Sequence, residues 1–191
     1  TKCSGKDLMY NIGMLIRSAF QSDSTPEERN YAIDYFLYLW CGPDSPLFDK
    51  SKMATFERYF IEDKETHVEE KGNYFKLRDN EQIVDNIMDA FDVVGENRHI
   101  INGHVPVKLK DGEKPVKAGG KLFIIDGGLS KAYQSTTGIA GYTLIYNSHH
   151  LALAEHMPFD PRKESTPKVS VVEKVKTRVM VADTDKGREL K

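Results

Sequence analysis

The chain has 191 residues, of which 39% are hydrophobic and 29% charged, and a formal net charge of −2. That length fits one sizeable core, or a core with an appended lobe. No apolar run approaches the roughly 20 residues that cross a bilayer, and no basic excess marks a phosphate-backbone binder, so membrane and nucleic acid are both set aside as partners. The opening stretch, TKCSGKDLMY, has neither an apolar signal segment nor an initiator methionine, and the expectation is of a chain that starts inside something longer. Ser4 and Asp7 read as a capping box, and Leu8, Met9, Ile12, Leu15, Ile16, Ala19 and Phe20 then recur at helical spacing. A second helix start follows, with Thr25 as N-cap, Pro26 at the first helical position and Glu28 completing the box. Its stripe of Tyr31, Ala32, Tyr35, Phe36, Leu39 and Trp40 is read as core. CGPDSPLFDKSK is a loop, broken by one glycine and two prolines.

MATFERYFIEDK fits a short helix or a strand, and HVEEKGNYFKLRDN reads as a solvated surface segment. From Asn80, the positions Ile83, Val84, Ile87, Met88 and Phe91 predict a helix ended by Gly95. The second half changes period. HIINGHV, read as a buried strand, is followed by KLFIIDGG, GYTLIYNSHH and LALAEHM, all short strands between glycine-rich turns, with NSHH as a tight hairpin turn. DPRKESTPK is a polar linker, and VSVVEKVKTRVMVADTDKG predicts one or two further strands. Helices first and strands after predict α+β within this chain, or one flank of a layered α/β fold.

Two cysteines, Cys3 and Cys41, make no disulfide framework, and a reducing cytoplasm fits them best. Of the six histidines, none belongs to a close metal-ligand pair such as H-E-x-x-H, and no cysteine cluster could hold zinc. His149 and His150 fall in the predicted turn, His67 in a charged segment, and His99 alternates with apolar neighbours as a hydrogen-bonded strand residue. His104 differs, because Gly103 precedes it and Val105-Pro106 stiffens the exit. Two readings stand: a polar residue closing a strand end, or a neutral imidazole delivered to a metal. KAGGK and DGGLSK suit turns and phosphate-cradling loops equally.

Taken in order, LWCGPDSPLF, MATFERYFIEDK, HIINGHVPV, GGKLFIIDGGLSKAYQSTTGIAGYTLIYNS and EHMPF resemble the C-terminal part of the class III bacterial fructose-1,6-bisphosphatases. These enzymes resemble in turn the calcineurin-like metallophosphatases. The resemblance implies an α/β fold, a β-sandwich flanked by helices with metal ligands at strand ends. On that pattern residues 1–160 are the C-terminal part of the metallophosphatase domain and residues 161–191 a linker with additional strands. Gly103-His104 matches the late Gly-His element, which makes His104 a metal ligand. Pro106 stands where several of those phosphatases have a second histidine. LWCGPD is similar to the segment preceding a phosphate-contacting basic residue, for which Lys50, Lys52 and Arg58 are the candidates, and the DGGLSKAYQ loop nominates Lys131 and Tyr133.

The same resemblance implies hydrolysis of the 1-phosphate of fructose 1,6-bisphosphate in gluconeogenesis, with manganese, as two divalent ions, in the complete enzyme. The D-x-H, G-D-x-x-D and G-N-H-D/E elements that supply most ligands in that superfamily do not occur here, and the nearest strings, IDGG and RDNE, do not fit. The expectation is a chain whose missing N-terminal portion carries most of the catalytic shell, and which is inactive alone. Two other readings remain open. One is a non-catalytic scaffold or oligomerisation module, able to form a homo-oligomer. The other is a related phosphatase acting on a phosphoprotein or a dinucleotide polyphosphate.

Overall fold

Helices precede strands, in the order the hydrophobic periods predict. The computed structural model of the chain describes residues 3–21, 23–139, 141–158, 160–162, 166–175 and 177–190, with the side chains of 131–133 left out. It divides into two compact units, Thr1–Arg78 with Ala90–Asp92, and Asp79–Asp89 with Val93–Lys191.

In the first unit, α1 (Gly5–Ser18) buries Ile12, and Ala19 is buried just past its end. Ser4 is its N-cap residue, but no side-chain cap bond forms, so the predicted box with Asp7 is absent. α2 (Pro26–Cys41) carries a complete capping box: the Glu28 amide donates to Thr25 Oγ1 at 3.2 Å, and the Thr25 amide donates to Glu28 Oε2 at 2.9 Å. The aromatic stripe corrects the sequence reading. Only Ala32 and Leu39 of α2 are buried, while Tyr31, Phe36 and Trp40 are 61%, 51% and 54% exposed. Apolar residues surround this helix on every side, and α1 packs against it along one, so a single stripe can be covered.

The following loop is ordered by its own polar groups. Ser45 Oγ donates to Leu39 O at 2.9 Å and accepts from the Phe48 amide, with Ser45 and Phe48 both buried. MATFERYF resolves as helix, α3 (Thr55–Phe60). α4 (Asn73–Leu77) forms within the segment read as solvated surface and buries none of its residues; Asp49 accepts from the Tyr74 amide at 3.1 Å, and in that segment Arg78 alone is buried.

In the second unit, α5 (Glu81–Ala90) buries Val84 and Met88 and stops well short of the Gly95 predicted to end it. A three-stranded sheet follows, ordered β1-β3-β2, from β1 (Ile100–Asn102), β2 (Val116–Lys117) and β3 (Leu122–Ile124). β1 runs parallel to β3, pairing Ile101 with Phe123, and β2 runs antiparallel to it. Central β3 is buried on both faces, in keeping with its unbroken apolar run. β1 is an edge strand, with Ile101 52% exposed, which corrects its reading as buried. α5 is tied to this sheet by charge: Asp85 meets Lys121 at 2.5 Å and Arg98 at 3.2 Å, and Asp79 accepts from the Ala118 amide.

After α6 (Lys131–Thr137), an antiparallel meander forms from β4 (Gly141–Tyr146), β5 (His150–His156) and β6 (Lys168–Lys174). Its first turn is built as predicted, because Asn147 Oδ1 accepts from the amides of both His149 and His150. Of the one or two strands predicted for this segment, β6 is the one that forms among the described residues. The stretch expected to extend it becomes a 3-10 turn and α7 (Asp185–Glu189), since Thr184 Oγ1 accepts from the Gly187 amide and starts a helix. The chain is thus mixed helix and sheet, of the α/β class. Among the described residues, no helix is long and apolar enough to cross a membrane.

Candidate functional site

Parallel strands send their carboxyl ends in one direction, and loops leaving those ends are where ligands bind in sheets of this kind. β1 and β3 are such a pair, with the Ile125 amide donating to Asn102 O at 2.9 Å to carry the pairing past β3. From β1 the chain enters Gly103-His104. The Val105 amide returns to Gly103 O at 2.8 Å, forcing a tight turn in which His104 adopts φ +67°. That left-handed conformation is uncommon for a residue with a side chain, and it leaves the imidazole exposed. From β3 the chain enters Asp126-Gly127-Gly128, where Asp126 Oδ1 accepts from the Gly128 amide at 2.7 Å. The Val107 amide donates to Asp126 O at 2.8 Å and holds the two loops together. Gly127 is required there, since a Cβ would lie 2.7 Å from the Gly141 Cα.

His104 and Asp126 therefore lie in sequence-distant loops that leave the same end of the β1–β3 pair. Among the described residues, no group of three or more histidine, cysteine or acidic side chains could hold a metal ion. Lys131 and Tyr133 lie in α6 rather than in a loop, three and five residues past Gly128, and their side chains are outside the described residues.

Lys50, Lys52 and Arg58 belong to the first unit, where they converge on one segment. Lys50 Nζ meets Glu69 Oε2 at 3.0 Å, Arg58 lies 3.4 Å from Glu69 Oε1, and Lys52 Nζ donates to Thr66 O at 2.6 Å. Glu69 also accepts from the Ala54 amide at 3.0 Å. Burial by itself would raise the Glu69 carboxyl, but the Ala54 amide and the Lys50 and Arg58 charges outweigh it and hold the group below its usual range. Sequence reasoning missed Glu69, which stands in a charge-rich string where nothing distinguishes it from its solvated neighbours. It missed Asp126 too, although an acid followed by Gly-Gly at the end of an apolar strand was there to be read. His67, read as structural or solvated, is bonded through Nε2 to Glu57 O and Ile61 O, and His99 to Glu173.

Residues 1–191 match the model of a family described as Firmicute fructose-1,6-bisphosphatase. Curated relatives named fructose-1,6-bisphosphatase class 3 include one from Bacteroides fragilis, 55% identical over 97% of this chain and 29% of its own length. Another, from Porphyromonas gingivalis, is 51% identical over 98% of this chain and 30% of its own length, and one from Clostridium botulinum strain 657 is 50% identical over 98% and 29%. The chain thus spans under a third of the length of these relatives. No solved structure matches it.

Proposed function

We infer that this chain, which belongs to the Firmicute fructose-1,6-bisphosphatase family, is part of a cytoplasmic enzyme of gluconeogenesis that hydrolyses the 1-phosphate of fructose 1,6-bisphosphate to fructose 6-phosphate and phosphate. The observation that carries this reading is the family match over the whole chain. It is supported by the position of His104 and Asp126 at the carboxyl end of a parallel strand pair. The calcineurin-like sandwich belongs to the same proposal, with the rest of the polypeptide as the chain's first partner and a sugar bisphosphate as its substrate.

Manganese is the proposed metal. A divalent ion lowers the pKa of a bound water and neutralises phosphoryl charge. The described residues do not form a donor set for it, so this chain's share is one imidazole, His104, and no metal-dependent step is derived from it. Lys50, Lys52 and Arg58 are proposed as the source of phosphate contact. Each cation keeps donors beyond those its protein partner takes, so a phosphoryl oxygen can bind without displacing Glu69. Lys131 and Tyr133 are proposed as further substrate contacts.

The test is His104→Ala in the full-length protein. Metal content, measured by elemental analysis, and turnover of fructose 1,6-bisphosphate both fall, and an unchanged value of both defeats the assignment. The absence of a donor set among the described residues favours a second statement. The 191-residue chain alone, assayed with manganese, gives no hydrolysis, and measurable turnover overturns that.

A further inference from the structure

The second unit contains a cavity of about 260 Å³ between its two sheets. Phe123 and Ile101 of the β1-β3-β2 sheet line one side, and Leu144 and Leu151 of the meander line the other, with Val175 and Val179 beyond β6. The walls are apolar, but one ionic pair crosses them. His99 Nε2 lies 2.5 Å from Glu173 Oε2, and both side chains are largely buried. A carboxylate only accepts, so the bond places the hydrogen on Nε2. Among the described lining residues Glu173 is the single carboxylate and none is lysine or arginine. A phosphate or carboxylate ligand would therefore meet the Glu173 carboxylate with no lysine or arginine beside it, the other titratable side chains of the described lining being His99, His150 and Tyr146.

The aromatic faces point to the same sign of charge. The His99 ring lies 5.2 Å from that of Phe123, and Tyr146 stands exposed among the lining residues. The faces of phenylalanine and tyrosine attract organic cations. A cavity of roughly 150 Å³ lined by aliphatic and aromatic groups admits benzene, so 260 Å³ takes one ring with a polar substituent, or two fused rings. We propose that this cavity is a binding site for a planar organic cation, an aromatic amine or amidinium. Its ring lies between the two sheets and its N–H groups donate to Glu173. The proposal does not depend on the catalytic reading, because none of the residues it uses belongs to the site described above.

Benzamidine is the probe, titrated into the full-length protein by ligand-observed NMR, with the neutral isostere benzamide as its control. Saturable benzamidine binding at least tenfold tighter than that of benzamide is expected. Glu173→Gln lowers benzamidine affinity at least tenfold and leaves benzamide within twofold. Leu144→Trp fills the cavity from the opposite wall without touching the ionic pair, and removes binding of both. That variant decides the matter if Glu173→Gln does not fold. No saturable binding, equal affinity for the two probes, or benzamidine binding that survives Leu144→Trp each overturns the proposal.

Discussion

Tyr142 carries the most exacting test of how the second unit is held together. It is the second residue of β4, its amide donates to Ile125 O at 3.1 Å, and it is 8% exposed. Its hydroxyl is buried without a hydrogen-bond partner among the described residues. An unsatisfied hydroxyl of this kind costs about 1–3 kcal/mol. Tyr142→Phe keeps the ring and removes the group, so the variant should be more stable than the parent by about 1 kcal/mol at pH 7, read by urea denaturation followed with far-UV circular dichroism. Burial, and then the Glu155 and Glu113 carboxylates, push the Tyr142 phenol up to about 12 from an ordinary 10.0. The sign follows from linkage. The unfolded chain ionises this group near 10 while the folded chain holds it neutral, so its contribution is intact below pH 10 and is lost as pH rises toward 12. Two pKa units correspond to about 3 kcal/mol. The parent should therefore lose stability relative to the phenylalanine variant over that window. A variant destabilised by more than about 1 kcal/mol at pH 7, or a difference between the two proteins that does not change between pH 9 and 11.5, would refute a buried, unpartnered phenol.

Three further outcomes are expected. Glu69→Ala leaves the Ala54 amide without its acceptor and Lys50 and Arg58 without their shared carboxylate, so stability falls by about 1–3 kcal/mol in chemical denaturation. Because the Glu69 carboxyl is held below its usual range, the parent's advantage over this variant is present above pH 4.5 and shrinks as pH falls through the depressed value. Thr25→Ala removes a formed cap and lowers stability by about 1 kcal/mol, whereas Ser4→Ala, which loses no cap bond, changes it by less than about 0.5 kcal/mol. Gly127→Ala drives a methyl group into the backbone of Gly141; a loss of about 1–3 kcal/mol is expected from overpacking, seen as a lowered denaturation midpoint.

What the sequence made legible follows from which signals are local. The cap of α2 was readable from Thr25, Pro26 and Glu28 because its two hydrogen bonds join residues three apart. The turn at Asn147 was readable for the same reason. β3 was legible as a short strand from its apolar run before Gly127-Gly128, and the structure buries Leu122, Phe123 and Ile124 on both faces. β1 has the same local chemistry yet lies at an edge, because position in a sheet is set by strand order and not by strand composition. β2 is two residues long and leaves no period to detect. Glu69 and Asp126 escaped because their partners, Lys50 and Arg58 for one and Val107 for the other, lie 11 to 19 residues away.

The α2 stripe failed for a different reason. Helical spacing shows which residues share a face but not whether anything lies against it, and a helix apolar on all sides is ordinarily a buried one. Tyr31, Phe36 and Trp40 on α2, with Phe56, Tyr59 and Phe60 on α3, leave a large exposed apolar area in a chain that spans 29% of the Bacteroides fragilis relative. The core reading inferred burial from spacing, and among the described residues Tyr31, Phe36 and Trp40 of that stripe are exposed. His104 is the same case in the candidate site. Gly-His at a strand end was legible, and the left-handed turn that exposes the imidazole is there. The groups that would make it a ligand are not among the described residues. Among the described residues, α2 has one buried stripe and His104 has no metal donor set around it.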